Sequence, residues 1–206
     1  MNRKPVAGLY AITPDWDDTG RLLGAVAAAL AGGARVLQYR NKRVDRQRRL
    51  EQALGLSALA NQAGAAFIVN DDVELALEVD ADGVHLGETD GDIARARKRL
   101  GPARLIGASC YNRLDLAAPA LAAGADHIAF GSMFASATKP SARRAPLDLF
   151  AQARHLNVPL VAIGGITTEN AAPVVAAGAS AVAVISDLFE AADVAAQARR
   201  FAGLFR

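Results

Sequence analysis

The feature that most constrains this fold is a strict alternation of short apolar runs with longer amphipathic segments. Short apolar runs predict buried strands, and amphipathic runs with helical spacing predict helices packed on them. The predicted strands are Ala7–Ile12, Arg35–Tyr39, Ala66–Val69, Gly83–Leu86, Leu105–Gly107, His127–Phe130, Pro159–Ile163 and Ala181–Ile185. The predicted helices are Arg21–Ala31, Gln47–Ala63, Val73–Val79, Asp92–Leu100, Leu114–Ala123, Leu147–His155, Glu169–Ala177 and Ala191–Phe205.

Strict strand–helix alternation predicts a parallel sheet, because each helix carries the chain back to start the next strand. Eight such pairs favour a closed barrel over an open, doubly wound sheet. A doubly wound sheet also calls for a glycine-rich fingerprint after the first strand, where this chain has Thr13-Pro14-Asp15-Trp16-Asp17. We therefore predict an α/β fold in which residues 1–206 form a single-domain (β/α)8 TIM barrel.

Composition excludes several classes of protein. The net charge of +2 is too small to indicate nucleic-acid binding, and the single cysteine, Cys110, excludes an internal disulfide. The apolar run Leu22–Ala34 is too short to cross a bilayer, and Met1–Thr13 lacks the apolar stretch of a signal peptide. We expect a cytoplasmic protein that binds small molecules, with no nucleic acid and no membrane as partners; a homo-oligomer remains open.

Polar residues concentrate where the predicted strands end, which is where barrels bind ligands. In the second strand and its extension, Gln38, Arg40 and Lys42 alternate and so share one face. An amide and two cations at the end of an otherwise apolar strand are costly to bury for structure alone, and they indicate an anion site.

Two carboxylates stand near these cations in the order of the strands. Asp71 follows the third strand and Asp90 follows the fourth, and no cysteine or paired-histidine ligand set accompanies them. Mg²⁺ prefers a few carboxylates together with water and phosphate oxygens, so the pattern indicates Mg²⁺ bridging a diphosphate. The alternative is that Asp71 or Asp72 only caps the third helix; Asp72 is the better placed cap.

The last two strand ends have a different character. Gly164-Gly165 follows the seventh strand, Thr168 stands near the start of the next helix as its expected cap, and Ser186 follows the eighth strand. Barrels frequently hold a phosphate between these two loops through backbone N–H groups. A phosphate site is the favoured interpretation, with an ordinary glycine turn as the alternative.

The remaining candidates are predicted to be structural. His85 lies among apolar neighbours and is expected to be a hydrogen-bonded interior histidine, and His127 is expected to be structural or exposed. Cys110 has no histidine close by in sequence, so a thiolate nucleophile is not expected.

Taken together, the motifs at seven of the eight strand ends resemble those of the thiamine-phosphate synthase family. The matching motifs are Gln38-x-Arg40-x-Lys42, Asn70-Asp71, Gly83-Val84-His85-Leu86-Gly87-x-x-Asp90, Gly107-x-Ser109, Ser136-x-Thr138-Lys139, Ile163-Gly164-Gly165-Ile166 and Val184-Ile185-Ser186. The chain departs from the family pattern at Glu88, where glutamine is usual, and at Ala135-Ser136, where Pro-Thr is commoner.

The resemblance implies a TIM barrel that joins 4-amino-5-hydroxymethyl-2-methylpyrimidine diphosphate to a 4-methylthiazole-ethyl phosphate, or to its carboxylated tautomer. The products would be thiamine monophosphate and pyrophosphate, released by a dissociative, Mg²⁺-assisted substitution. The resemblance makes the chain a transferase of a pyrimidinylmethyl group.

The resemblance also assigns roles to residues at matching positions. The pyrimidine diphosphate would be held by Gln38, Arg40, Lys42, Asn70, Ser109 and Lys139. Mg²⁺ would be held by Asp71 and Asp90, and the thiazole phosphate by Ser136, Thr138, Gly165, Ile185 and Ser186. The expected substrate-binding set further includes Tyr39, Asn41 and Ala137, and the expected catalytic set is Arg40, Lys42, Ser109 and Lys139.

Two other functions remain as alternatives at this point. The first is a thiazole tautomerase of the same superfamily, which has no need of a metal–diphosphate site. The second is a non-catalytic barrel that binds a phosphate ligand without turnover.

Overall fold

The computed structural model describes residues 3–87, 91–135 and 143–205, and they form a closed barrel of eight parallel strands in sequence order, β1 pairing with β8. The strands are β1 Gly8–Ile12, β2 Val36–Tyr39, β3 Ala66–Asn70, β4 Gly83–Leu86, β5 Leu105–Tyr111, β6 His127–Gly131, β7 Leu160–Ile163 and β8 Ala181–Val184. The predicted single-domain barrel fold is confirmed.

The helices described are α1 Thr19–Ala31, α2 Arg46–Gln62, α3 Val73–Glu78, α4 Ile93–Leu100, α5 Ala117–Ala122, α6 Asp148–Ala153, α7 Ala171–Ala176, α8 Ser186–Phe189 and α9 Val194–Ala202. Short 3₁₀ turns cover Leu114–Leu116, Arg154–Leu156 and Gly203–Phe205. Five of these helices begin at an aspartate whose carboxylate accepts a backbone N–H of the first turn, which fixes where each begins. These capping residues are Asp18, Asp45, Asp72, Asp92 and Asp193.

The strands are buried on both faces, because one face fills the barrel and the other carries the helices. In β1, Tyr10 and Ile12 belong to the cluster inside the barrel, whereas Leu9 and Ala11 belong to the larger cluster under the helices. Every residue of β1 and β2 is buried, so the barrel wall offers ligands only its rim.

Three local predictions were wrong. Strand β5 continues past Gly107 to Tyr111, which brings Ser109 into the strand itself. Ser186 opens the short helix α8 instead of lying in a loop. Helix α7 begins at Ala171, and Thr168 does not cap it. The physical reason for the last difference is Asn170, whose Oδ1 accepts the Thr167 N–H at 2.8 Å and closes the turn before the helix.

Within the described residues, no helix is both long enough and apolar enough to cross a membrane.

Candidate active site at the carboxyl rim of the barrel

The carboxyl ends of all eight strands meet at one rim, and a cavity of about 710 Å³ opens there beside β2, β3 and β4. We number each loop by the strand that it follows. Loops 2 and 3 line the cavity with Arg40, Lys42, Asn70 and Asp71, four of the residues expected from the sequence. The outer wall comes from helices and adds three arginines that sequence reasoning missed: Arg49, Arg95 and Arg99.

Arg40 is fixed in place by an acid of loop 1. Its Nη1 donates to both carboxylate oxygens of Asp15, at 2.9 and 2.8 Å, and both side chains are about three-quarters buried. The backbone N–H of Lys42 donates to the same carboxylate at 2.9 Å. Thr13 completes the junction, because its hydroxyl donates to the Arg40 carbonyl and accepts the Arg40 N–H, each at 2.8 Å. Loop 1 therefore holds loop 2 in position.

The two adjacent aspartates of loop 3 have different partners. Asp72 accepts the Leu75 N–H at 2.9 Å and caps α3, as predicted. Asp71 adopts a left-handed backbone conformation, with φ of 64°, and its Oδ2 lies 3.2 Å from the Lys42 Nζ. A non-glycine residue in that conformation is uncommon and is favoured by a local constraint. The left-handed turn leaves Asp71 on the cavity wall beside Lys42.

The donor set suits Mg²⁺ better than a softer metal. In the part of the chain described, no group of three or more His, Cys, Asp or Glu side chains is placed to hold a metal by itself. Proteins usually hold Mg²⁺ through one or two carboxylates, while water and substrate phosphates supply the other oxygens. The Asp71 carboxylate on the cavity wall fits that mode of binding.

Two more of the expected contacts lie on the barrel's inner face. Gln38 is buried, and its Nε2 donates to the hydroxyl of Tyr10 at 2.8 Å. Ser109 is half-buried on β5, and its Oγ lies 2.9 Å from the Nε2 of His85. The interior, hydrogen-bonded role predicted for His85 is confirmed.

Tyr39 and Asn41 have side chains directed toward the helices. The Tyr39 hydroxyl donates to Gln52 Oε1 at 2.9 Å, and the Asn41 Nδ2 donates to the Trp16 carbonyl at 2.7 Å and to Gln52 Oε1 at 3.1 Å. Both residues are buried, as is Gln52. Only the main chain of these two residues is therefore available to a ligand at the rim.

Loop 7 packs tightly against loop 6. Gly164 and Gly165 have φ of 101° and 62°, and a Cβ atom at Gly165 would lie 2.2 Å from the Ala135 carbonyl oxygen. The Gly164 carbonyl accepts the Phe134 N–H at 2.9 Å. The glycine pair is therefore required by the close approach of loop 6 as well as by its backbone conformation.

Loop 8 and α8 complete this side of the rim. Ile185 and Ser186 are half-buried beside it, and Asp187 accepts the Gln197 Nε2 at 2.7 Å, which ties α8 to α9. Asn170 Nδ2 donates to the Gly165 carbonyl at 3.0 Å and holds loop 7 from behind. The backbone N–H groups of Gly165 and Ser186 have no acceptor among the described residues, so they are available to an anion.

Several expected residues lie outside the described part of the chain. They are the expected metal ligand Asp90, the loop 6 residues Ser136, Ala137, Thr138 and Lys139, and Glu88, which precedes Asp90 by two residues in the sequence. Asp15 was missed because an acid in loop 1 carries no motif; only its spacing after a strand end hinted at a role. Arg49 belongs to a short basic run that the sequence pattern indicates is a solvated helix face rather than a binding patch.

Buried titratable groups near the rim are held neutral. Burial raises the pKa of the Cys110 thiol to about 12, with the Asp115 charge adding to the effect. Burial also raises the pKa of Tyr10, and the hydrogen bond from Gln38 opposes it. A thiolate nucleophile is therefore excluded at neutral pH, in line with the sequence prediction.

Comparison with known proteins identifies the family. The model of the family described as thiamine monophosphate synthase matches residues 9–188. The thiamine-phosphate synthase of Chromobacterium violaceum is 60% identical over 200 residues, covering 97% of each chain. The corresponding protein of Methylobacillus flagellatus is 58% identical and covers 98% of this chain and 96% of that one.

Solved structures agree with this assignment. Thiamine phosphate pyrophosphorylase from Pyrococcus furiosus is 35% identical with a TM-score of 0.88, covering 99% of this chain and 98% of that one. A 3-hexulose-6-phosphate synthase, 18% identical with a TM-score of 0.72, shares the fold alone. The chain therefore belongs to the thiamine monophosphate synthase family and is a transferase.

Proposed function

We propose that this transferase condenses 4-amino-5-hydroxymethyl-2-methylpyrimidine diphosphate with 4-methyl-5-(2-phosphoethyl)thiazole, or its carboxylated tautomer, to give thiamine monophosphate and pyrophosphate. The observation that carries the proposal is the division of one rim into two anion-binding zones. The first combines the cations Arg40 and Lys42 with the carboxylate Asp71. The second offers backbone N–H groups at Gly165 and Ser186. A reaction between two phosphorylated substrates needs both zones.

The first zone would hold the diphosphate. Among the described residues, Asp15 binds Arg40 through Nη1, so we expect the other guanidinium nitrogens to bind phosphate oxygens. Lys42, Asn70 and Ser109 would supply further donors. Mg²⁺ would be held by Asp71 and Asp90 and, when bound, would neutralise part of the diphosphate charge. Lys139 of loop 6 would add a further cation.

The second zone would hold the phosphate that stays in the product. Backbone N–H groups bind a phosphate by direct donation, and the glycine at 165 lets the anion approach the chain closely. Ser136 and Thr138 of loop 6 would add contacts to this phosphate. Asn170 would steady loop 7 by holding the Gly165 carbonyl, which belongs to the peptide bond that follows the donating Gly165 N–H.

The chemistry would be a dissociative substitution at the pyrimidine's methylene carbon. The carbon–oxygen bond breaks first, its electron pair leaves with pyrophosphate, and the electron-rich aminopyrimidine supports the cation that results. The thiazole nitrogen then donates its lone pair to that carbon. Arg40, Lys42 and Lys139 would stabilise the charge growing on the leaving group, which is the kind of interaction that contributes most in many enzymes. No protein nucleophile is needed, which fits the protonated thiol of Cys110.

The rival functions do not need the cations and the carboxylate of the first zone. A thiazole tautomerase handles a single phosphate, and a non-catalytic barrel has no leaving group to stabilise. Neither requires a carboxylate set among cations beside the cavity.

The test is one assay with both substrates, with and without Mg²⁺, that reads thiamine phosphate and pyrophosphate together. We expect stoichiometric formation of both products, and loss of both on chelation. Conversion of the carboxylated tautomer to its aromatic isomer without release of pyrophosphate would support the tautomerase, and tight binding without turnover would support the non-catalytic barrel.

A matched pair of variants tests the metal assignment. Asp71→Asn is expected to lower turnover by about 100-fold or more, because a metal-binding carboxylate is lost. Asp72→Asn makes the same charge change one residue away and keeps a good helix cap, so its turnover should stay within about threefold of the original. Equal activities for the two variants would refute the role of Asp71.

A further inference from the structure

Two histidines inside the barrel pack against one glycine. His85 on β4, Gly107 on β5 and His127 on β6 are paired across the sheet in register. A Cβ atom at Gly107 would lie 2.4 Å from His85 Nδ1 and 2.2 Å from His127 Nε2. Any other residue would therefore displace both rings, and the glycine of the Gly107-x-Ser109 motif is required to seat them.

The imidazole ring of His127 is held neutral. His127 is fully buried, and neither of its ring nitrogens has a hydrogen-bond partner among the residues described. Burial, and secondarily the neighbouring His85, lower the pKa of His127 to about 3. A neutral imidazole carries one N–H donor and one acceptor nitrogen. His127 Nε2 and His85 Nδ1 both lie close to the position that a Gly107 Cβ would occupy, but they do not form a hydrogen bond with each other.

The imidazole ring of His85 contacts a residue of the proposed site. His85 Nε2 lies 2.9 Å from the Oγ of Ser109, which is half-buried two residues after Gly107. The polar series therefore runs from the closed interior of the barrel, through His127 and His85, to a hydroxyl at the rim.

We propose that His85 is a positioning residue: its Nε2–H donates to Ser109 Oγ, and the hydroxyl proton of Ser109 is thereby directed at the diphosphate. The proposal rests on the proposed function, in which Ser109 contacts the pyrimidine diphosphate. In the opposite tautomer, Nε2 would accept a hydrogen bond from the Ser109 hydroxyl. The lone pairs of Ser109 would then face the anion, which is repulsive. An anionic ligand therefore selects the Nε2–H form, with Nδ1 as the acceptor facing His127.

A double-mutant cycle tests the coupling between the two residues. The variants are His85→Asn, Ser109→Ala and the double variant, with pyrimidine diphosphate varied at saturating thiazole phosphate. Each single variant should lower kcat/KM by about tenfold or more, since a hydrogen bond to a charged group is lost. The double variant should fall no more than about twofold below Ser109→Ala, and KM for thiazole phosphate should stay within about twofold throughout.

The conservative variant His85→Gln serves as the matched control. Its amide nitrogen reaches toward the position of the histidine Nε2, whereas that of asparagine reaches only the position of Nδ1. His85→Gln should therefore recover kcat/KM to within about threefold of the original enzyme. A role limited to filling the core predicts additive losses and no advantage of glutamine over asparagine, and either result overturns the proposal.

The tautomer can also be read in the unsubstituted protein, whether or not the variants fold. With pyrophosphate and Mg²⁺ bound, nitrogen NMR of the ¹⁵N-histidine-labelled chain should show His85 protonated at Nε2 and unprotonated at Nδ1. Addition of pyrophosphate with Mg²⁺ should shift the His85 resonances. Protonation at Nδ1 would overturn the proposal even in an active enzyme, whereas an inactive enzyme with the Nε2–H form would refute the proposed function and not this geometry.

Discussion

The burial of His127 makes a sharp prediction about how stability depends on pH. Its ring is fully buried, and burial lowers its pKa to about 3, whereas an unfolded histidine has a pKa of about 6.5. The unfolded chain therefore binds a proton at mildly acidic pH that the folded chain does not bind. Because the native pKa is the lower one, this group reduces stability as the pH falls below about 6.5.

The size of the effect follows from the two pKa values. At about pH 5 the unfolded ring is almost fully protonated and the folded ring is neutral, which disfavours the folded state by about 2 kcal/mol. At about pH 7.5 the same contribution is close to zero. His127→Leu removes it. When the pH is lowered from about 7.5 to about 5, the free energy of unfolding of the variant should rise by about 2 kcal/mol relative to that of the original chain.

The measurement is urea unfolding at both pH values, followed by circular dichroism. In a thermal scan of a chain this size the same effect should appear as a relative shift of about 4–8 °C in Tm. His127→Gln is the control, because it also removes the titrating ring while keeping a polar group, so it should show the same change with pH. If the free energy of unfolding of the original chain differs from that of each variant by the same amount at both pH values, the ring protonates inside the folded barrel and the reasoning fails.

Three further predictions concern the loops around the rim. Asp15→Ala releases Arg40 and the Lys42 N–H, and steady-state kinetics should show kcat/KM for the pyrimidine diphosphate lowered by about tenfold; an unchanged value would show that loop 1 does not position loop 2. Gly165→Ala forces a Cβ atom to within 2.2 Å of the Ala135 carbonyl at φ of 62°, and it should reduce the free energy of unfolding by about 2–4 kcal/mol. Gly64→Ala, at φ of 66° with open space around it, carries only the backbone cost of about 1–2 kcal/mol, and an equal loss in both variants would contradict the packing argument. Asn170→Ala removes the hydrogen bond that holds the Gly165 carbonyl, so KM for thiazole phosphate should rise by about fivefold while KM for the diphosphate stays constant; a rise in both would indicate general loosening.

The barrel itself could be predicted from the sequence, because the alternation of apolar and amphipathic runs is a signal spread over the whole chain. Local ends were less predictable. Strand β5 continues to Tyr111 because it pairs with β6 past a register shift between Ser109 and Tyr111, which apolar periodicity does not reveal. The start of α7 depends on the side chain of Asn170, whose two hydrogen bonds close a turn that has no strong sequence signature.

Site residues could be predicted from the sequence where burying that residue type costs free energy without a functional reason. They could not be predicted where their role depends on contacts with elements that are distant in the sequence. Arg40 and Lys42 stood out because cations at the end of a buried strand need a reason. Asp15 did not, because its role appears only when loop 1 and loop 2 meet in the closed barrel. Arg95 illustrates the same limit: a basic residue on a helix becomes part of a cavity wall only through the packing of α4 against α3 and β5.

The contact between Asp15 and Arg40 has a consequence for how binding free energy is divided. A long, flexible side chain that becomes ordered only when a ligand arrives loses about 1.5–2 kcal/mol of rotamer freedom at that moment. Arg40 loses this freedom when the chain folds, since loop 1 already holds its guanidinium at 2.8 Å. The entropy of ordering therefore lowers the stability of the protein and not its affinity for the anion. Substitutions in loop 1 that never touch a ligand would weaken binding by returning that disorder to the free enzyme.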